Sequence, residues 1–298
     1  MNAFVNSTMR KFKKNSFILT FLFLSSFYNS VFSYYEIKAA KNILYQPDTS
    51  VFLREKFNTL DIYYPTDKTK PKHVFVFIYG GFWHFGDKSQ FALLGRNFAK
   101  RGIVTVCINF RQIPQVDMND QLKDCALAML WVKDNIAEFG GNPEKIVVGG
   151  HSSGGHASAL LSWDKRYYNY FNRENPAIGL IQLDGAALEL KSFIPGFTDR
   201  QHQKIKMVFT DQIAIWEKYN PYNYLQFIDN SVLFLNVQHT YPEIKKSYDL
   251  LKENMKTLGI PYDEMLIKNQ THVLFIYTLI FNRNYSVTND IAKYIKSL

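Results

Sequence analysis

The part of this chain best suited to chemistry is a serine set between glycines at the end of an apolar run. Gly150-His151-Ser152-Ser153-Gly154 follows Ile146-Val147-Val148-Gly149, and small or apolar residues from Ala157 to Leu161 come next. Strand, sharp turn and helix are the context in which Gly-x-Ser-x-Gly presents its serine as a nucleophile. The turn forces a strained backbone conformation on Ser152, and a side chain at Gly150 or Gly154 would collide with neighbouring elements. Ser152 is thus expected at the carboxyl end of a parallel sheet, at the foot of the following helix.

A hydroxyl is a poor nucleophile until a base takes its proton. Seven histidines are available. His151 and His156 belong to the turn and its helix, where packing suits them better than proton transfer. His73 begins a strand at the wrong end of the sheet, His84 lies near a second glycine motif, and His202 falls in a region that could form a cap. His272, in the loop Asn269-Gln270-Thr271-His272 after the last strand, is the favoured base and completes the order serine, acid, histidine. The second glycine motif, Tyr79-Gly80-Gly81-Phe82-Trp83, ends the apolar run Val74 to Ile78. Adjacent glycines just past a central strand let backbone N–H groups turn inward, as an oxyanion hole requires.

The elements that must position these residues alternate along the chain. Asn58 to Pro65 reads as an edge strand, and Val74 to Ile78 as a strand covered on both faces. A helix from Lys88 to Arg101 leads to the strand Ile103 to Phe110. A helix from Met118 to Phe139 carries Leu122, Cys125, Ala126, Met129 and Leu130 at helical spacing. Further strands are expected at Ile178 to Leu183, Val232 to Val237 and Tyr262 to Ile267, with a helix from Ile244 to Leu258. Such alternation implies an α/β fold with a mainly parallel central sheet and helices on both faces. Two aromatic-rich insertions, Trp163 to Pro176 and Lys191 to Asp229, break the rhythm. They form either a surface layer or a small cap over an apolar pocket at Ser152.

At 298 residues and 47% hydrophobic, the chain can bury a sizeable core. Residues 1–33 read as a leader: Arg10, Lys11, Lys13 and Lys14, then an apolar core from Phe17 to Phe27, then Val31-Phe32-Ser33. Its eleven apolar-core residues fall short of the roughly 20 a spanning helix needs, so a cleaved signal and a secreted or periplasmic product are expected, with an uncleaved membrane anchor as the rival. The four cations of that stretch account for four of the net +9 and leave +5 on residues 34–298. A balance of that size, with no Lys/Arg stripe, calls for no nucleic-acid partner. Cys107 and Cys125 sit in apolar patterns and read as buried small hydrophobes, not as a disulfide or metal pair.

Together, Tyr79-Gly80-Gly81-Phe82-Trp83, Phe139-Gly140-Gly141-Asn142-Pro143, Gly150 to His156 and Thr271-His272 resemble the α/β-hydrolase superfamily. Within it, the likeness is to the esterase/lipase group that includes kynurenine formamidase and isoprenylcysteine methylesterase, and it covers residues 58–295. The resemblance implies a serine hydrolase working through an acyl-enzyme on a small-molecule ester, with Ser152 as nucleophile and His272 as base. Backbone groups around Gly80, Gly81, Phe82 and Ser153 would hold the oxyanion. Neither a metal nor an organic cofactor is implied.

Two departures stand out. Tyr79 occupies the place where the family's glycine motif usually opens with histidine. Thr240, in Gln238-His239-Thr240-Tyr241-Pro242-Glu243, stands where formamidase-like members carry the triad aspartate. A second register makes Glu243 the acid, and it is the expected one; Asp184 and Glu189, after the preceding strand, are the alternatives. An arylformamidase-like amide hydrolase, or a hydrolase-fold binding protein that has lost its acid, are the competing readings of function.

Overall fold

The apolar runs of the sequence form the middle of a sheet that holds eight strands among the described residues, in the order β1-β2-β4-β3-β5-β6-β7-β8. These are β1 (Ile37–Leu44), β2 (Thr59–Pro65), β3 (Lys72–Ile78), β4 (Val104–Ile108), β5 (Gly141–Ser152), β6 (Ala177–Gly185), β7 (Ser231–His239) and β8 (Asp263–Thr271). The computed structural model describes residues 34–46, 57–196 and 199–298. The leader expected over residues 1–33 lies outside them. Residues 36–298 form one compact unit.

β1 and β2 run antiparallel to their neighbours, and from β4 through β8 every pairing is parallel. Val74 to Ile78 and all of β4 are buried at consecutive positions. Side chains alternate faces along a strand, so consecutive burial requires cover on both sides. The helices α1 (Ala92–Ala99), α2 (Met118–Asn135) and α3 (Ser153–Trp163) supply part of it, α1 lying against β2 and β4, and α3 against β5 and β6. All five residues expected on the apolar side of α2 are buried, as are both cysteines, which are free thiols.

The edge differs from expectation. The strand read as an edge, β2, is interior, because β1 pairs along it. β1 has only partly buried and exposed positions and no strict alternation, so its pattern gave no strand signal. The two insertions also part company. The first forms α4 (Arg166–Asn169), where Tyr167 and Tyr168 are buried and belong to the core rather than to a cap. The second forms α5 (Leu190–Phe193), α6 (Asp199–Phe209) and α7 (Ile213–Lys218), and its Phe193 lines the cleft that holds Ser152. It reaches the glycine motif through Phe209, whose ring meets Trp83 edge-on at 5.0 Å.

The chain then supplies α8 (Pro242–Thr257), α9 (His272–Phe281) and α10 (Ser286–Ser297). The loop expected at Asn269 to His272 is absent. β8 continues to Thr271, whose side chain caps α9 by accepting the Leu274 N–H, and His272 is the first residue of that helix. Among the described residues no helix is long and apolar enough to cross a membrane.

Candidate active site

Ser152 closes β5 with φ 55° and ψ −124°, a conformation costly for any residue with a side chain. Two glycines make the turn possible by close approach. A Cβ on Gly150 would stand 2.3 Å from the Gly154 carbonyl, and one on Gly154 would stand 2.1 Å from the Ile78 oxygen. The turn is therefore pressed between its own helix and the end of β3. Ser152 is half-buried at the carboxyl ends of the parallel strands, where α/β sheets place their ligands.

His272 arrives at the same cleft from the end of β8. Its Nδ1 lies 2.7 Å from Asp184 Oδ2. The carboxylate can only accept, so Nδ1 carries the hydrogen and Nε2 is left bare to take a proton. The histidine is almost buried and Asp184 wholly so. Asp184 comes within reach through register: β5 and β6 pair His151 with Leu183 and Ser152 with Gly185, which brings Asp184 level with the serine. A left-handed φ of 49° at Asp184 accompanies this placement. Val237 N–H donates to its other oxygen at 3.2 Å, and Thr240 Oγ1 donates to Oδ2 at 2.6 Å.

This corrects the expected acid. Glu243 lies in the first turn of α8, where a negative charge suits the helix dipole, and its side chain runs against Gly196. Glu189, the other alternative, is a helix cap: its carboxylate accepts the Lys191 and Ser192 N–H groups at the start of α5. Thr240, at the position where formamidase-like members carry the aspartate, donates to the Asp184 carboxylate.

Four of the other six histidines take structural places. His151 stacks on His272 with ring centroids 4.5 Å apart. Its Nε2 lies 3.1 Å from the His272 carbonyl, which fixes the hydrogen on Nε2. Burial, and then the neighbouring His272, hold its pKa well below the usual histidine value, so it stays neutral beside the base. His156 receives Trp83 Nε1–H on Nδ1 at 3.2 Å and faces the Tyr219 carbonyl with Nε2 at 2.8 Å. Burial lowers its pKa to about 4. His84 lies between the Ile113 and Lys204 carbonyls and ties the glycine turn to its surroundings. His73 is at the amino end of β3, remote in topology from the strand ends that carry the cleft.

Gly80, Gly81, Phe82 and Ser153 all line the cleft with Ser152 and His272. One of the expected donors is turned away, however. Gly81 N–H donates to Ser153 Oγ at 3.0 Å, and Trp83 N–H reaches the same oxygen at 3.3 Å. Between them, Phe82 and Trp83 hold left-handed φ values of 50° and 64°. The Ser153 side chain thus clamps a strained turn, a role the motif alone did not reveal. Tyr79, in place of the usual histidine, is buried and stacked between Phe91 and Phe110, so it supports the loop from below.

Sheet order, strained serine turn and the Asp184–His272 pair define an α/β-hydrolase. The chain matches the BD-FAE family over residues 60–234 and belongs to it. It is 38% identical over 141 residues to a probable isoprenylcysteine alpha-carbonyl methylesterase of Oryza sativa subsp. japonica, a stretch that is 47% of this chain and 32% of that relative. It is 39% identical over 108 residues to a probable carboxylic ester hydrolase of Mycobacterium tuberculosis (strain ATCC 25618 / H37Rv), covering 35% of this chain and 25% of that one. The chain therefore spans about a third or less of the length of these curated relatives. Esterase B from Lactobacillus rhamnosis superposes with a TM-score of 0.74 at 15% identity, over 98% of this chain and 95% of that chain, which shows the shared fold.

Proposed function

We propose that the protein hydrolyses carboxylic esters through an acyl-enzyme on Ser152. The observation that carries this reading is the pairing of His272 Nδ1 with buried Asp184 in the same cleft as the strained Ser152. Ser152 Oγ attacks the ester carbonyl carbon while His272 Nε2 takes its proton. Asp184 stabilises the imidazolium that forms, and Val237 and Thr240 hold Asp184 in place. Negative charge on the carbonyl oxygen is met by the backbone N–H groups of Phe82 and Ser153, the latter at the start of α3. His272 then gives the proton to the leaving alcohol. Water, deprotonated by the same nitrogen, releases the acid and restores Ser152.

The relatives' names support ester chemistry. The reading of an acid-less binding protein rested on Thr240 and loses that support once Asp184 is found on His272. Export to a secreted or periplasmic location is proposed on the composition of residues 1–33 alone, and amino-terminal sequencing of the exported protein would test it. A fluorophosphonate probe tests the reaction. Intact mass should show one adduct, mapped to Ser152 and absent from Ser152→Ala. A wild-type protein that stays unlabelled would sink the proposal.

A further inference from the structure

The cleft of about 530 Å³ does not stop at the reacting groups. One face of α9 lines it from the first residue of the helix to the last, through Val273, Ile276, Tyr277, Ile280 and Phe281. With a rise of about 1.5 Å per residue, this wall runs roughly 13 Å beyond His272. Phe85 and Phe91 line the same cleft, and among the described residues no Asp, Glu, Lys or Arg side chain does so. The wall is anchored at both ends. Asp184 holds His272, and the buried Asn97 side chain donates to the Leu279 and Ile280 carbonyls. At the outer end Tyr277 and Phe281 stack with centroids 6.0 Å apart while both remain more than half exposed, 54% and 66%.

We infer that this slot holds an extended, uncharged hydrocarbon chain of the ester, and that the substrates are medium- to long-chain esters. The inference rests on the ester-hydrolase reading above. A charged group seated against the α9 wall would be desolvated among apolar side chains, whereas each methylene seated there leaves water. The outer rings of Tyr277 and Phe281 would be covered only when a long chain is bound. The chain can belong to either half of the ester, because the slot begins at the base, which faces both the serine and the leaving group.

The test uses the full chain and two substrate series. One is p-nitrophenyl esters from acetate to dodecanoate; the other is acetates of straight-chain alcohols from ethanol to dodecanol. In one series kcat/KM should climb by about fourfold per methylene until the slot is full. The series that climbs identifies the acyl or the alkoxy chain as the occupant. Phe281→Glu, at an exposed position, should cut the long-chain rate by about tenfold or more and leave p-nitrophenyl acetate turnover unchanged. Ile280→Trp, which fills the slot from its floor, should lower the length at which the climb stops. Acetate turnover without a rise in either series, or equal loss of acetate and long-chain turnover in Phe281→Glu, overturns the slot and leaves the ester-hydrolase reading standing. If neither acetate nor any longer ester is turned over, both readings fall.

Discussion

Thr240 donates its hydroxyl hydrogen to Asp184 Oδ2 over 2.6 Å. The residue that stands where an aspartate was expected thus serves an aspartate supplied by the neighbouring strand, β6. Thr240→Val should remove a hydrogen bond to a charged acceptor, worth about 1.5 kcal/mol, and lower kcat on a short ester by roughly tenfold. Thr240→Asp should be worse than Thr240→Val. It places a second carboxylate against Asp184, and like charges at that distance raise one carboxyl pKa instead of adding a second anion. Steady-state kinetics on p-nitrophenyl butyrate decide the ranking, and a Thr240→Asp variant faster than wild type would refute it.

The Ser153 side chain accepts both Gly81 N–H and Trp83 N–H and so pins the turn that carries Phe82. Ser153→Ala keeps the backbone N–H of that residue and removes only the clamp. The expected result is a kcat lower by about tenfold with KM nearly constant, because a displaced donor weakens the transition state more than the bound ester. Ser153→Thr keeps the hydroxyl and should restore most of the loss. A change confined to KM would assign Ser153 to substrate binding instead.

Acid should destabilise the fold through His156. Its pKa in the folded chain is about 4, against about 6.5 in an unfolded one, with burial as the main cause. Between those values the unfolded chain binds more protons, so this stabilisation is complete above pH 6.5 and is lost as pH falls toward 4. The difference amounts to about 3 kcal/mol when fully lost. Thermal melts from pH 7 to pH 4 should show a falling Tm, with a shallower slope in His156→Gln. Parallel slopes in the two proteins would remove His156 from the effect. Some slope should persist in the variant, because His151 is shifted in the same direction.

How much could be read from the chain alone follows from how local each signal is. The serine turn, the glycine pair and the central strands are short-range patterns: Gly150 and Gly154 sit two residues from Ser152, and Val74 to Ile78 is unbroken. Their consequences appear in the fold as expected. Asp184 is a different case. Its role depends on β5–β6 register, on β8 lying two strands from β6 across β7, and on a left-handed turn at one residue. Nothing in Asp184-Gly185 as a dipeptide distinguishes it from an ordinary strand end. Glu243 drew attention through spacing along the chain, but the start of α8 at Pro242 fixes it as a helix-end residue. β1 went unseen for a similar reason, since an exposed edge strand needs no apolar alternation. His272 stands after the last strand as expected, yet nothing local to it shows that the helix it begins walls the cleft.

The relocation of the acid from the β7 loop to the end of β6 is the most direct thing to measure. Wild type, Asp184→Asn and Glu243→Gln should be compared on p-nitrophenyl butyrate under saturating conditions, with folding of each checked by circular dichroism. Asp184→Asn should reduce kcat by about 10⁴-fold, because the neutral amide leaves the imidazolium uncompensated and favours the wrong histidine tautomer. Glu243→Gln should stay within about twofold of wild type, as surface substitutions away from the reacting groups do. The reverse pattern, a collapse in Glu243→Gln with Asp184→Asn still active, would contradict the triad of Ser152, His272 and Asp184.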